Sequence, residues 1–168
     1  NGMNVCTVSR AAAGLAEYLK ETVKGEKSVA VAYDSRNKSR EFAFLSAAVF
    51  SSAGIKTYVF DELVPTPVLS FAVRYLKTSA GVVVTASHNP KEYNGYKVYN
   101  EKGCQITEEA ALAITEKIEN ASYFGKYKPN NSLITVLDDR VMNAFLSEVE
   151  KLSLFDGTAS SAPKIVYT

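Results

Sequence analysis

The chain has 168 residues, of which 46% are hydrophobic and 22% charged, and its 19 basic and 18 acidic side chains leave a net charge of +1. That length suits one domain with a real core plus some extra segment. The balanced charge disfavours a nucleic-acid or membrane-surface partner, and no apolar stretch approaches the roughly 18 residues that span a bilayer. A single histidine excludes a His-rich metal site. Cys6 and Cys104 stand in no metal-type spacing and read as reduced, partly buried thiols of a cytoplasmic protein.

Short β-branched runs alternate with helical patterns along the chain. Residues 3–24 place Val8, Ala11, Ala12, Leu15, Leu19 and Val23 on one helical stripe that closes at Gly25. Ser28–Tyr33 reads as a buried strand. A second helix is predicted from about Asn37, with Phe42, Leu45, Val49 and Phe50 inward and Gly54 at its end. Lys56–Phe60 is the next strand. Thr66 and Pro67 predict the cap and first turn of a third helix, with Val68, Phe71, Ala72 and Tyr75 as its apolar face. Ala80–Val84 is the most apolar strand. Asn94-Gly95 signals a tight turn, and Tyr96–Tyr99 alternates as a short fourth strand. Thr107 opens a fourth helix, with Glu108 and Glu109 in its first turn. Residues 122–132 read as a connector, and Val141, Phe145, Val149 and Leu152 form a stripe on a helix from about Asp139. After a soft tail over 156–163, Lys164–Thr168 reads as the opening of another strand.

Three β-α units imply parallel pairing, right-handed crossovers and helices on both faces of the sheet. The fourth strand follows without a crossover helix, so it belongs antiparallel at an edge. The expected fold is α/β, a three-layer α/β/α arrangement with a mixed four-stranded sheet whose last strand is antiparallel, followed by a linking helix. A strand that opens at the C-terminus with nothing to pair against suggests a boundary inside a longer protein.

Ligands of parallel α/β sheets bind beyond the carboxyl ends of the strands. Three loops meet that condition: Asp34-Ser35-Arg36, Pro65-Thr66-Pro67 and Thr85-Ala86-Ser87-His88-Asn89-Pro90. The last delivers a hydroxyl, an imidazole and an amide in sequence, and the Asn94-Gly95 turn could fold Lys97 back towards Ser87. The grouping suits phosphoryl transfer, which needs an acceptor oxygen, cations and positioned donors. No carboxylate flanks Ser87, so a hydrolytic triad is disfavoured. A serine that enters the cycle already phosphorylated needs no base, and its added charge of about −1.5 to −2 would call for a metal ion and basic neighbours. From the residues alone, plainer roles stay open. Ser87 suits a turn or cap, His88 a bond to backbone, and Lys97 the solubility of an edge strand. Asp34 and Arg36 suit a brace for the following helix. No Gly-rich phosphate cradle is present, so nucleotide binding is not indicated.

The run Thr85–Pro90, followed by Tyr93-Asn94-Gly95-Tyr96-Lys97, resembles the phosphoserine loop of the α-D-phosphohexomutases. The wording Lys91–Tyr99 is most similar to the bacterial phosphoglucomutase and phosphopentomutase branch. Val31–Arg36, Pro65-Thr66-Pro67 and the order of elements match the first domain of that superfamily. The resemblance implies a domain over 1–124 lacking the family's N-terminal Gly-rich stretch, a linker and helix over 125–163, and the start of a second domain at 164–168. It implies a phosphosugar mutase interconverting glucose 1-phosphate and glucose 6-phosphate, with glucose 1,6-bisphosphate as intermediate and activator. Ser87 would be the phosphorylated serine and, through its phosphate, one ligand of Mg²⁺; the other ligands would lie outside this chain. His88 and Lys97 would flank the reacting hydroxyl, with Lys97 as general acid/base once its pKa is lowered. Arg36 would orient groups around the phosphoserine, and Asn89 would help hold the loop. The partners implied are a phosphosugar and the remaining domains of the same polypeptide, and the chain alone would not turn over. Phosphopentomutase or phosphomannomutase activity, or a non-catalytic binding domain of the same fold, are the alternatives.

Overall fold

The computed structural model describes residues 2–154 and 164–166. The chain runs α1 (Val5–Thr22), β1 (Ser28–Tyr33), α2 (Ser39–Ser52), β2 (Lys56–Phe60), α3 (Thr66–Tyr75), β3 (Ala80–Val84), β4 (Tyr96–Asn100), α4 (Glu108–Asn120), β5 (Ile134–Leu137) and α5 (Arg140–Glu150). The sheet order is β4-β3-β1-β2-β5. β1 lies parallel to both β2 and β3, and β4 is antiparallel on β3, as the missing crossover helix predicts.

The pleat sorts the core into two faces. Val29, Val31, Tyr33, Val82 and Val84 point to the layer of α1, α2 and α4, while Ala30, Ala32 and Val83 face α3 and α5. Both sides of β1 and β3 are therefore buried, which is why these strands read as continuous apolar runs rather than alternating ones. Each fully buried Val, Leu or Phe contributes about 1.5–3 kcal/mol. On the first face α1 and α4 cross so closely that a Cβ on Gly14 would lie 2.4 Å from Ile118 Cγ1.

The three-layer α/β/α architecture stands, but among the described residues the sheet has five strands rather than four. β5 pairs parallel with β2 from Thr57 opposite Ile134 to Phe60 opposite Leu137. Its four residues are half-buried or exposed at the edge, so the run is too short and too mixed to show a period. The antiparallel β4 thus closes one edge, and β5, the last strand among the described residues, is parallel and closes the other. The predicted stripe on α5 is also only half covered. Val141 and Phe145 pack against the α3 face, whereas Val149 is 47% and Leu152 77% exposed. α2 begins later than Asn37 because Lys38 adopts a left-handed conformation, φ 63°, which ends the preceding loop. Pro65, not Thr66, caps α3. Both cysteines are free; Cys6 is half-buried, but Cys104, expected partly buried, is exposed. The tail over 156–163 and residues 167–168 lie outside the described residues, and 164–166 form no strand.

One buried polar group has a measurable consequence. The Tyr96 hydroxyl sits under the sheet next to the α1–α2 face without a hydrogen bond of regular geometry. Burial pushes its pKa far up, and the nearby Ser46 hydroxyl, which donates its own proton to Phe42 O at 2.8 Å, lowers it only a little. A pKa raised on folding contributes stability that is whole below the ordinary tyrosine value of about 10 and is lost as pH rises past it. Tyr96→Phe is therefore expected to match or exceed wild type by up to about 1 kcal/mol at pH 8, where the phenol is neutral. Its advantage should grow by about 1 kcal/mol near pH 10.5. Urea midpoints at the two pH values decide this, and an advantage that does not grow would refute it.

Candidate active site

Ser87 stands where the topology changes direction. From β1 the chain goes to β2 on one side and later to β3 on the other, so the ends of β1 and β3 form the crevice at which parallel sheets bind ligands. Tyr33 pairs with Val84, and Asp34 N–H then donates to Val84 O at 3.3 Å. The residues that follow the two strands, Asp34–Arg36 and Thr85–Ser87, are thus brought side by side.

The turn before β4 completes the wall. Thr85 N–H donates to Gly95 O at 3.0 Å, and a Cβ on Gly95 would stand 2.6 Å from Thr85 O, so no larger residue allows this approach. Asn94 holds the turn to the other loop, its side-chain amide donating to Ser39 Oγ at 2.8 Å and Asn37 O at 3.2 Å. Two residues into β4, Lys97 Nζ donates to Ser87 Oγ at 2.6 Å. Ser87 is exposed and Lys97 half-buried, so an ammonium group and a hydroxyl meet at an open edge.

Ser87 has φ 55°, a left-handed conformation that costs a non-glycine residue about 1–2 kcal/mol. It is held there by bonds on both sides of the residue. Its N–H donates to Thr85 Oγ1 at 3.1 Å, and its carbonyl accepts from Arg36 Nη2. Nη1 of the same guanidinium donates to Asn89 O at 2.5 Å, Pro90 O at 2.8 Å and Tyr93 O at 3.3 Å, while Nε pairs with Asp34 Oδ2 at 2.9 Å.

The expected site residues therefore fall into two groups. Ser87, Lys97 and His88 stand at the open edge, and His88 is exposed without a hydrogen bond among the described residues. Arg36 is turned inward onto loop carbonyls, its side chain only 9% exposed, and Asn89 joins the loop through its backbone, its N–H donating to Ala86 O at 3.2 Å. Pro65-Thr66-Pro67 makes no hydrogen bond to the serine loop. Thr85, Ser39 and Asn94 were missed as site residues. The signal for them was weak: a hydroxyl or amide beside a strand end (Thr85, Asn94) or at a helix start (Ser39) becomes a partner only when the strand register is known.

Among the described residues no group of three or more His, Cys, Asp or Glu side chains is gathered. Asp34, the carboxylate beside the serine loop, spends Oδ1 on Arg36 N–H and Ser39 Oγ and Oδ2 on Arg36 Nε and Thr85 Oγ1. No helix among the described residues is long and apolar enough to cross a membrane.

Residues 1–124 match the family model described as phosphoglucomutase/phosphomannomutase, alpha/beta/alpha domain I. A phosphoglucomutase of Staphylococcus haemolyticus is 40% identical over 172 aligned positions, covering 99% of this chain and 31% of that protein. A probable phosphoribomutase of Schizosaccharomyces pombe is 55% identical over 106 positions, covering 62% of this chain and 18% of that protein. The crystal structure of a putative phosphomannomutase from Thermus thermophilus superposes with a TM-score of 0.80 at 31% identity, over 92% of this chain and 33% of that one. The chain thus spans no more than about a third of the length of these relatives.

Proposed function

The chain belongs to the phosphoglucomutase/phosphomannomutase family, as its α/β/α domain I, and on that premise we propose that it supplies the phosphoryl-carrying serine of a phosphosugar mutase. The observation that carries this is the 2.6 Å hydrogen bond from Lys97 Nζ to Ser87 Oγ at the open end of the sheet. A serine meant to attack would need a base beside it. What Ser87 has instead is an ammonium donor, and the carboxylate of Asp34 beside its loop is saturated by four donors. That electrostatic setting suits an oxygen that bears a phosphoryl group and later leaves it.

In the proposed step a sugar hydroxyl oxygen bonds to phosphorus as the bond from phosphorus to Ser87 Oγ breaks. The proton lost by the sugar hydroxyl is balanced by the one gained at Oγ, with Lys97 as its donor. His88, its imidazole uncommitted to any partner among the described residues, is proposed to accept on the sugar side. Once the bisphosphate has turned round, Lys97 takes the proton from Oγ as Ser87 collects the phosphoryl group from O1 and His88 returns its proton to O1, so glucose 1-phosphate leaves as glucose 6-phosphate through glucose 1,6-bisphosphate. Arg36 and Asn89 are proposed to act on the phosphoserine through the loop they hold. Mg²⁺ fits this chain only in part: a phosphate oxygen on Ser87 would be one ligand, and bound Mg²⁺ would offset the charge of the phosphoryl group. The remaining ligands, the sugar-reading residues and a second domain beginning near 164 are assigned to the rest of a longer cytoplasmic polypeptide. A domain over 1–124 and a linking segment over 125–163 are proposed from the resemblance; β5 and α5, which fall within that linking segment, pack on the same sheet. The chain alone is not expected to turn over.

The experiment is direct. Full-length protein incubated with glucose 1,6-bisphosphate should gain one phosphoryl group, mapped by mass spectrometry to Ser87. No such gain would favour a non-catalytic binding domain. Relatives carry phosphomannomutase and phosphoribomutase names as well. Initial rates on glucose, mannose and ribose 1-phosphates then assign the sugar, with glucose expected to be fastest.

A further inference from the structure

We propose that Thr85, polarised by Asp34, is the positioning residue that holds Ser87 in its left-handed conformation and so sets the distance between Ser87 Oγ and Lys97; this rests on the phosphoserine role given to Ser87 above. Thr85 is 5% exposed, and among the described residues its hydroxyl is the only side-chain group bonded to the Ser87 backbone N–H. Two bonds define the direction of that hydroxyl. Its proton goes to Asp34 Oδ2 at 2.5 Å, because an ionised carboxylate only accepts. That leaves its lone pairs to accept Ser87 N–H at 3.1 Å.

Asp34 in turn cannot rotate to another partner. Arg36 N–H at 3.1 Å and Ser39 Oγ at 3.0 Å fix Oδ1, and Arg36 Nε at 2.9 Å shares Oδ2. The order Arg36, Asp34, Thr85, Ser87 therefore runs without a free choice of proton at any link. Its last link, from Thr85, fixes the side of Ser87 that Arg36 does not reach, the N–H, while Arg36 Nη2 takes the carbonyl. With both backbone groups held, the Cα–Cβ bond of Ser87 has one direction, and from that Cβ the hydroxyl Oγ accepts from Lys97 Nζ at 2.6 Å. Loss of the Thr85 hydroxyl frees the N–H, and the residue can relax toward ordinary negative φ, carrying Oγ away from the ammonium group. A displacement near 1 Å at a reacting atom lowers rates by roughly 100-fold.

The test compares Thr85→Val, which keeps the shape and deletes the hydroxyl, with Thr85→Ser, which keeps the hydroxyl. In full-length protein, phosphorylation of Ser87 by glucose 1,6-bisphosphate should slow by roughly 100-fold in Thr85→Val and by less than about 3-fold in Thr85→Ser. The Ser87 amide, followed by hydrogen exchange in ¹⁵N-labelled protein, should lose its protection in the first variant and keep it in the second. Should Thr85→Val fail to fold, Asp34→Asn serves instead. An amide offers one acceptor oxygen where the carboxylate meets four donors, so the Thr85 hydroxyl loses its fixed direction, and slower phosphorylation with weaker amide protection is expected. Phosphorylation of Thr85→Val at the wild-type rate, or an unprotected Ser87 amide in wild type, overturns the proposal. A wild type that takes no phosphate sinks the phosphoserine role instead, and the amide exchange then judges Thr85 alone.

Discussion

Full-length protein carrying Ser87→Ala is expected to take up no phosphoryl group from glucose 1,6-bisphosphate and to lose mutase activity by about 10⁴-fold or more, while unfolding within about 0.5 kcal/mol of wild type. The two halves of that expectation come from different atoms. The hydroxyl is the one atom to which the phosphoryl group would be bonded, and water cannot replace it without turning transfer into hydrolysis. The fold, by contrast, uses the backbone of Ser87, through its N–H and carbonyl, and leaves the side chain exposed. Alanine meets the same left-handed conformation at a similar cost. The Lys97 ammonium group loses one partner but keeps its access to water. Steady-state rates with intact-mass measurement check the first half, and urea denaturation checks the second. Retained labelling of the variant would mean that another group carries the phosphate, and the assignment of Ser87 would fall.

The ease with which each part could be read from the sequence follows from how local its cause is. β1 and β3 are buried on both faces, so their identities were plain, and the antiparallel place of β4 followed from the absence of a crossover helix. β5 was not legible. Four edge residues between Leu133 and Asp138 carry no period, and only the register against β2 makes them a strand. Val149 and Leu152 misled in the opposite way, since an apolar stripe states what a helix could bury and not what it does bury. At the site, Ser87 and Lys97 were legible because the Asn94-Gly95 turn returns the chain within ten positions. Arg36 was legible as a residue but not in its orientation. It was expected to orient groups around the phosphoserine, and that its guanidinium does so by facing four carbonyl oxygens of the loop could not be read without the fold. Thr85 was illegible as a positioning group because its partner, Asp34, lies 51 positions away.

The orientation of Arg36 makes it the residue whose loss should damage fold and site together. Arg36→Met keeps the length of the apolar stem but removes every donor of the guanidinium. Asp34 then keeps its Thr85, Ser39 and backbone partners but loses its counter-charge in a setting where its side chain is 27% exposed. Breaking a fully buried ion pair costs about 3–5 kcal/mol. Asp34 keeps partial contact with water and the loop carbonyls can be hydrated, so a cost of about 2–3 kcal/mol is expected. Arg36→Lys should recover little of this, because one ammonium group with three donors cannot reach Asp34 and four carbonyls spread over Ser87, Asn89, Pro90 and Tyr93. With the loop released, Ser87 loses one of its two backbone restraints, and its phosphorylation rate should fall in both variants. Urea denaturation gives the stability change, and the labelling rate of Ser87 gives the effect on the site. If Arg36→Lys unfolds and labels as wild type does, a positive charge alone is enough there, and the fork of hydrogen bonds is not what shapes the serine loop.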